Sequence, residues 1–99
     1  MRESPALTLR LYVAVGTRNS DAAVANLAAL CRARLPEQPH VEIVDVMREP
    51  KRALADGIFM TPTLVKLAPL PTRKVVGSLS NVECVLQALE LAALSHEAG

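Results

Sequence analysis

The sequence predicts an α/β domain of the order β-α-β-α-β-β-α, with a four-stranded mixed sheet and helices on both faces. Three observations predict it. Leu7, Leu9, Leu11 and Val13 alternate with Thr8, Arg10 and Tyr12, the period of a half-buried strand. Val24, Leu27, Ala28, Cys31 and Leu35 recur at three- and four-residue steps, the period of a helix face. Pro50, Gly57, Pro69, Pro71 and Gly77 then cut the rest of the chain into short elements.

The first strand runs from about Leu7 to Val15, and Gly16-Thr17-Arg18-Asn19 breaks it. Asn19 or Ser20 is a candidate cap for the first helix, with Asp21 in its first turn, Arg32 and Arg34 in its last and Pro36 at its end. His40 to Met47 is the second strand. Pro50 suits a first helical position and Gly57 a residue just past a helix end, which predicts a short helix from Pro50 to about Ala55. Leu64 to Leu67 is the third strand, and Arg73 to Val76 is the fourth, after a turn bracketed by Pro69 and Pro71. Ser80-Asn81-Val82-Glu83 has the form of a capping box. Val82, Val85, Leu86, Leu89 and Ala93 then mark one face of a last helix. Two β-α-β steps predict parallel neighbours through right-handed crossovers, and the proline-rich link predicts an antiparallel third and fourth strand.

The chain of 99 residues is read as one domain, with an ordered core over about 7–94 and fraying ends. Its composition is 51% apolar and 2% aromatic, so the core is one of Leu, Val and Ala around few rings. A formal charge of +1 excludes binding driven by phosphate neutralisation, and Arg73-Lys74 is too small a basic pair for a nucleic-acid patch. No apolar run approaches the roughly 18–20 residues of a membrane span, and no signal-peptide pattern opens the chain. These features point to a cytoplasmic domain.

The predicted order is that of the thioredoxin-type architecture. Thr61-Pro62-Thr63 stands where that fold places its customary cis-proline, an ordinary trans-proline at a strand start being the alternative. The redox chemistry of that fold needs a thiol at the start of the first helix, where the helix lowers its pKa. This chain has Thr17-Arg18-Asn19-Ser20 there. Cys31 falls on the apolar face of the first helix and reads as a core residue, and Cys84 falls in the first turn of the last. His40 and His96 have no ligand-spaced companions, and no phosphate loop or nucleophile elbow is present. No cofactor, metal or catalytic set is implied, and a fold without its active site reads as a binding module.

The chain resembles the KaiB family. The resemblance rests on Leu9-Arg10-Leu11-Tyr12-Val13-Ala14, Thr17 and Asn19-Ser20, then on Val44-Asp45-Val46, Pro50, Asp56, Ile58 and Thr61-Pro62-Thr63-Leu64. It continues through Lys66, Pro69, Pro71, Arg73 to Gly77, Leu79-Ser80, Glu83, Val85-Leu86 and Leu89, and covers about Leu7 to Leu94. It implies a non-enzymatic adaptor that binds the ATPase ring of a KaiC-like hexamer, an ATPase and autokinase, and shifts its phosphorylation state. A sensor histidine kinase with a KaiB-like domain competes for the same ring, and KaiA is a further partner of the family. The resemblance also implies two folds: a thioredoxin-like binding state, and a tetrameric ground state with a rearranged C-terminal half. A free dimer or tetramer is thus an expectation.

Departures from the cyanobacterial pattern sharpen these expectations. Ala88, Glu90 and Ala93 stand where that pattern has glycine, aspartate and tyrosine. Alanine for glycine inside a helix is worth about 0.8–1 kcal/mol, so the chain is expected to favour the thioredoxin-like fold. Glu42, on the second strand at the sheet edge, replaces a lysine, and a reversed charge disfavours KaiA or the competing kinase at that edge. A solvated charge that discourages edge pairing is the alternative. Lys51, Arg52 and Asp56 lie near the implied KaiC-contacting surface, or else form a solvated helix face; Gly57 replaces a family lysine. Outside this reading stand a KaiC-associated stress regulator without an oscillator, a stand-alone kinase input domain and a degenerate redox protein using Cys84.

Overall fold

All seven predicted elements form. A computed structural model describes residues 7–35 and 38–90. Its order is β1 (Thr8–Val13), α1 (Arg18–Arg34), β2 (His40–Asp45), α2 (Pro50–Ala55), β3 (Thr63–Ala68), β4 (Arg73–Val76) and α3 (Val82–Ala88). The strands form one sheet in the order β2-β1-β3-β4, the thioredoxin-like arrangement and not the rearranged alternative. The chain ends and His96 lie outside the described residues.

The second crossover differs from the expectation. β1 and β2 are parallel, Thr8 opposite His40 through Val13 opposite Asp45. β3, however, pairs antiparallel with β1 as well as with β4. A six-residue helix advances only about 9 Å, less than half the ~20 Å of a six-residue strand. The segment after α2 therefore doubles back, and β3 enters the sheet from the end at which β2 left it.

Alternation along the strands divides the interior in two. Leu9, Leu11, Val13 and Leu64 face α1 and α3, packing against Leu27, Leu30, Leu86 and Leu89. Tyr12, Val44 and Val65 face the other way and pack with Ala53 of α2 and Ile58. Cys31 belongs to the first cluster, as its place on the apolar face predicts, whereas Ala28 is exposed.

The helix ends correct three expectations. Thr17, not Asn19 or Ser20, is the N-cap residue of α1. Ser20 lies inside the helix, buried, and its hydroxyl accepts from the Ala14 amide at 3.0 Å. The capping box of α3 does not form: Asn81 is the cap and accepts from the Cys84 amide at 3.1 Å, while the Glu83 carboxylate is drawn to Arg34 at 2.9 Å. Finally, α3 stops at Ala88, and Glu90 sits beyond it at φ 61. The helix preference of Glu90 therefore has no helix to act on, although Ala88 does; Ala93 lies outside the described residues.

Candidate partner-binding surface

The face of the sheet that carries α2 holds a connected polar network. Tyr12, next to the end of β1, is fully buried, and its hydroxyl donates to the Asp56 carboxylate just past α2. Arg10, two residues earlier on the same face, donates from Nε to Glu42 at 2.9 Å and from Nη1 to Asp56 at 3.0 Å. Parallel register puts Glu42 directly opposite Arg10. Arg52 of α2 reaches the same Glu42 oxygen at 2.8 Å and Glu49 at 3.2 Å. From β4, Lys74 Nζ donates to the Asp56 carbonyl at 2.7 Å. Gly57 lies beside this contact with φ +70°, and a Cβ there would stand 3.3 Å from Lys74 Nζ, a tight approach. One side-chain set thus ties β1, β2, α2 and β4 together.

The charges respond accordingly. Hydrogen bonds from Arg52 first and Arg10 second hold the Glu42 carboxyl down at about 2. The Tyr12 hydroxyl, and after it Arg10, lower the Asp56 carboxyl despite its partial burial. Burial and the bond to Asp56 push the Tyr12 phenol up. Burial opposes the charge of Arg10, but its bonds to Glu42 and Asp56 outweigh that and raise it.

The sequence-derived site residues part company here. Arg52, Asp56 and Glu42 share this network, so none is a lone solvated charge. Lys51 is exposed on α2, with no side-chain partner among the described residues. Met47, Leu54, Phe59 and Met60, in the same stretch of chain, are exposed apolar side chains. Thr61–Pro62 is cis, as the motif predicts, and Pro62 is buried; Ala68–Pro69 and Leu70–Pro71 are cis too. Ala88 closes α3, and Glu90 pairs with Arg73 at 2.6 Å. Arg10, Tyr12, Glu49 and Lys74 belong to the network although sequence reasoning did not select them. Aligning the two parallel strands would have shown Arg10 facing Glu42; the link to Asp56, 46 residues from Arg10, has no local signal.

The edge strand offers a second surface. His40 and Val46 donate their amides to Leu7 and Val13, which leaves the backbone of Val41 and Ile43 turned away from β1. Both side chains are exposed and line a groove of about 480 Å³ with Leu27 and Cys31 of α1. At the start of α1 no thiol faces Pro62: Cys31 is buried further along the helix, and Cys84 is exposed at the start of α3. No helix among the described residues is long and apolar enough to cross a membrane.

The KaiB domain model matches residues 10–91. The chain belongs to the KaiB family. The circadian clock protein KaiB3 of Synechocystis sp. is 40% identical over 85 residues, which cover 86% of this chain and 83% of that one. The circadian clock oscillator protein KaiB of Synechococcus elongatus is 40% identical over 83 residues, 84% of this chain and 81% of that one. These relatives make the chain a KaiB-type protein of the circadian clock group, and they are named as clock proteins rather than enzymes. In structure, the KaiB-family chain resembles the N-terminal domain of Synechococcus elongatus SasA, with a TM-score of 0.76 at 18% identity, over 97% of this chain and 91% of that one. A Fasciola hepatica thioredoxin gives 0.69 at 16% identity, over 90% and 81% of the two chains. Both likenesses are of fold.

Proposed function

We propose that this chain is a non-enzymatic adaptor that binds the ATPase ring of a KaiC-like hexamer in the cytoplasm and modulates its phosphorylation state. The observation that carries the reading is the arrangement of β3, β4 and α3. It is the thioredoxin-like arrangement, which the family resemblance ties to KaiC binding. Lys51, exposed and without a side-chain partner among the described residues, is the contact residue on α2, with the exposed Leu54 one turn along the helix. Apolar centre and charged rim is the ordinary anatomy of a protein interface. Arg52 and Asp56 act differently: bound into the network, they hold α2 in place for that contact.

The same reading includes a second, rearranged fold of the C-terminal half, an oligomer in the free state and competition with a sensor histidine kinase for the ring. Ala88, as the last residue of α3, favours the thioredoxin-like state over a glycine there. At the β2 edge, Glu42 is committed to Arg10 and Arg52, and its charge in place of a lysine disfavours KaiA there.

Size-exclusion chromatography of the chain with its cognate KaiC, in ATP and in ADP, tests the proposal. Co-elution is expected, weakened by Lys51→Ala without loss of stability, whereas Arg52→Ala lowers both. No co-elution with either nucleotide refutes the adaptor reading; unchanged affinity of Lys51→Ala removes that residue from the contact.

A further inference from the structure

β2 is the outer strand beside β1, and its outward backbone groups follow from that pairing. His40 and Val46 donate their amides to Leu7 and Val13, so the planar peptides before them turn the carbonyls of Pro39 and Asp45 outward. Alternation turns both groups of Val41 and Ile43 outward too, with the Asp45 amide. The Asp45 carbonyl is already taken by the amides of Arg48 and Glu49, and Pro39 has no N–H to offer. The open edge thus presents the amides of Val41, Ile43 and Asp45 and the carbonyls of Pro39, Val41 and Ile43.

A second copy running antiparallel, about a two-fold axis through the sheet at Glu42, matches all of them. Val41 exchanges both bonds with Ile43 of the copy, Ile43 does so with Val41, and each Asp45 amide meets a Pro39 carbonyl. On the α1 side the exposed Val41 and Ile43 side chains become cross-strand neighbours. On the α2 side the axis sets Glu42 against Glu42, in the closer class of antiparallel pair, and like charges directly opposite are destabilising. Arg10 and Arg52 both hold the same Oε1 of this carboxylate, at 2.9 and 2.8 Å, so it stays ionised and in place.

We propose that the β2 edge is a homodimer interface held closed by Glu42: its backbone groups and apolar side chains fit a second copy of this chain, and the facing carboxylates forbid it. This inference concerns the chain alone and does not rest on the KaiC-like partner.

Hydrogen exchange and sedimentation of the full chain test it, with Glu42→Thr and Glu42→Gln compared with the parent and with Glu42→Lys. As concentration rises, both neutral variants are expected to double the parent's mass and to slow the Val41, Ile43 and Asp45 amides roughly tenfold. The parent and Glu42→Lys, which restores like charges, keep those amides fast at every concentration. Fast edge amides in either neutral variant overturn the proposal. Doubling of Glu42→Lys overturns it as well, because charge would then not gate the edge, and slow edge amides in the parent would mean that the edge is already covered. Failure of both neutral variants to fold also counts against it, since Glu42 would then serve the fold and not the edge.

Discussion

Replacing Tyr12 by Phe removes one oxygen from a fully buried ring and leaves the rest of the core in place. The lost oxygen donates to the Asp56 carboxylate and lies 3.4 Å from the Arg52 carbonyl. A hydrogen bond to a charged group contributes about 1.5–3 kcal/mol. Asp56 keeps Arg10, and its side chain is 30% exposed, so water reaches it once the hydroxyl is gone. Both facts place the loss at the low end, about 1.5 kcal/mol, or roughly tenfold in the folding equilibrium. For a domain of this size that lowers Tm by about 6–12 °C. Urea unfolding of the parent, Tyr12→Phe, Asp56→Asn and the double variant closes a cycle that isolates the pair.

The pH dependence gives a second reading of the same perturbation. Asp56 has a lowered pKa in the folded chain, with the Tyr12 hydroxyl as the first cause. Its contribution is therefore present above the ordinary aspartate range, about 3.9, and is lost as pH falls through the lower folded value. The gap between parent and Tyr12→Phe should be full at pH 7 and narrow in acid. A Tyr12→Phe variant within about 0.5 kcal/mol of the parent at pH 7, or a cycle with no coupling, refutes the claim that this bond ties α2 to the sheet.

Three further outcomes follow from the geometry. Asn81→Ala should cost about 1 kcal/mol in thermal or chemical unfolding and Ser80→Ala almost nothing, since Asn81 alone accepts a helix amide. Glu42→Gln should cost less than about 1 kcal/mol at pH 7, because a side chain 48% exposed is screened by water. The parent should lose that increment as pH falls from the ordinary glutamate range towards about 2, and an NMR titration of Glu42 near 4 would contradict the pairing. Leu86→Ala empties a fully buried site under α3 and should cost about 2–5 kcal/mol in urea unfolding, with a value under about 1 arguing against tight packing of that helix.

Local signals were legible and long-range ones were not. Pro50 and Gly57 bracket α2, whose limits match the expected Pro50–Ala55, and β4 runs over the predicted Arg73–Val76, because turn residues act over a few positions. Both core faces could be read from alternation alone. The direction of β3 could not, since it depends on where the chain emerges after a helix too short to cross the sheet. Two residues compete for the cap of α3, and Asn81 wins because Glu83, which a capping box requires, finds Arg34 49 residues away. Lys66 stands within the predicted third strand, and only the fold shows that this residue is buried. In the candidate surface, Lys51, Arg52 and Asp56 share one short stretch of sequence. They divide into one exposed side chain and two bound into the network because Arg10, Tyr12 and Glu42 arrive from elsewhere.

The two cysteines give the chain a pair of built-in chemical reporters. Cys84 stands in the open at the start of α3, whereas Cys31 is held under α1, its thiol pushed up by burial. A maleimide added to the native chain should modify Cys84 first and Cys31, 8% exposed on the wall of the groove beside β2, more slowly. Each molecule then records, in the rate at which its second sulfur is labelled, how accessible the groove between α1 and β2 is. No cysteine need be introduced or removed for that record to be read by mass spectrometry.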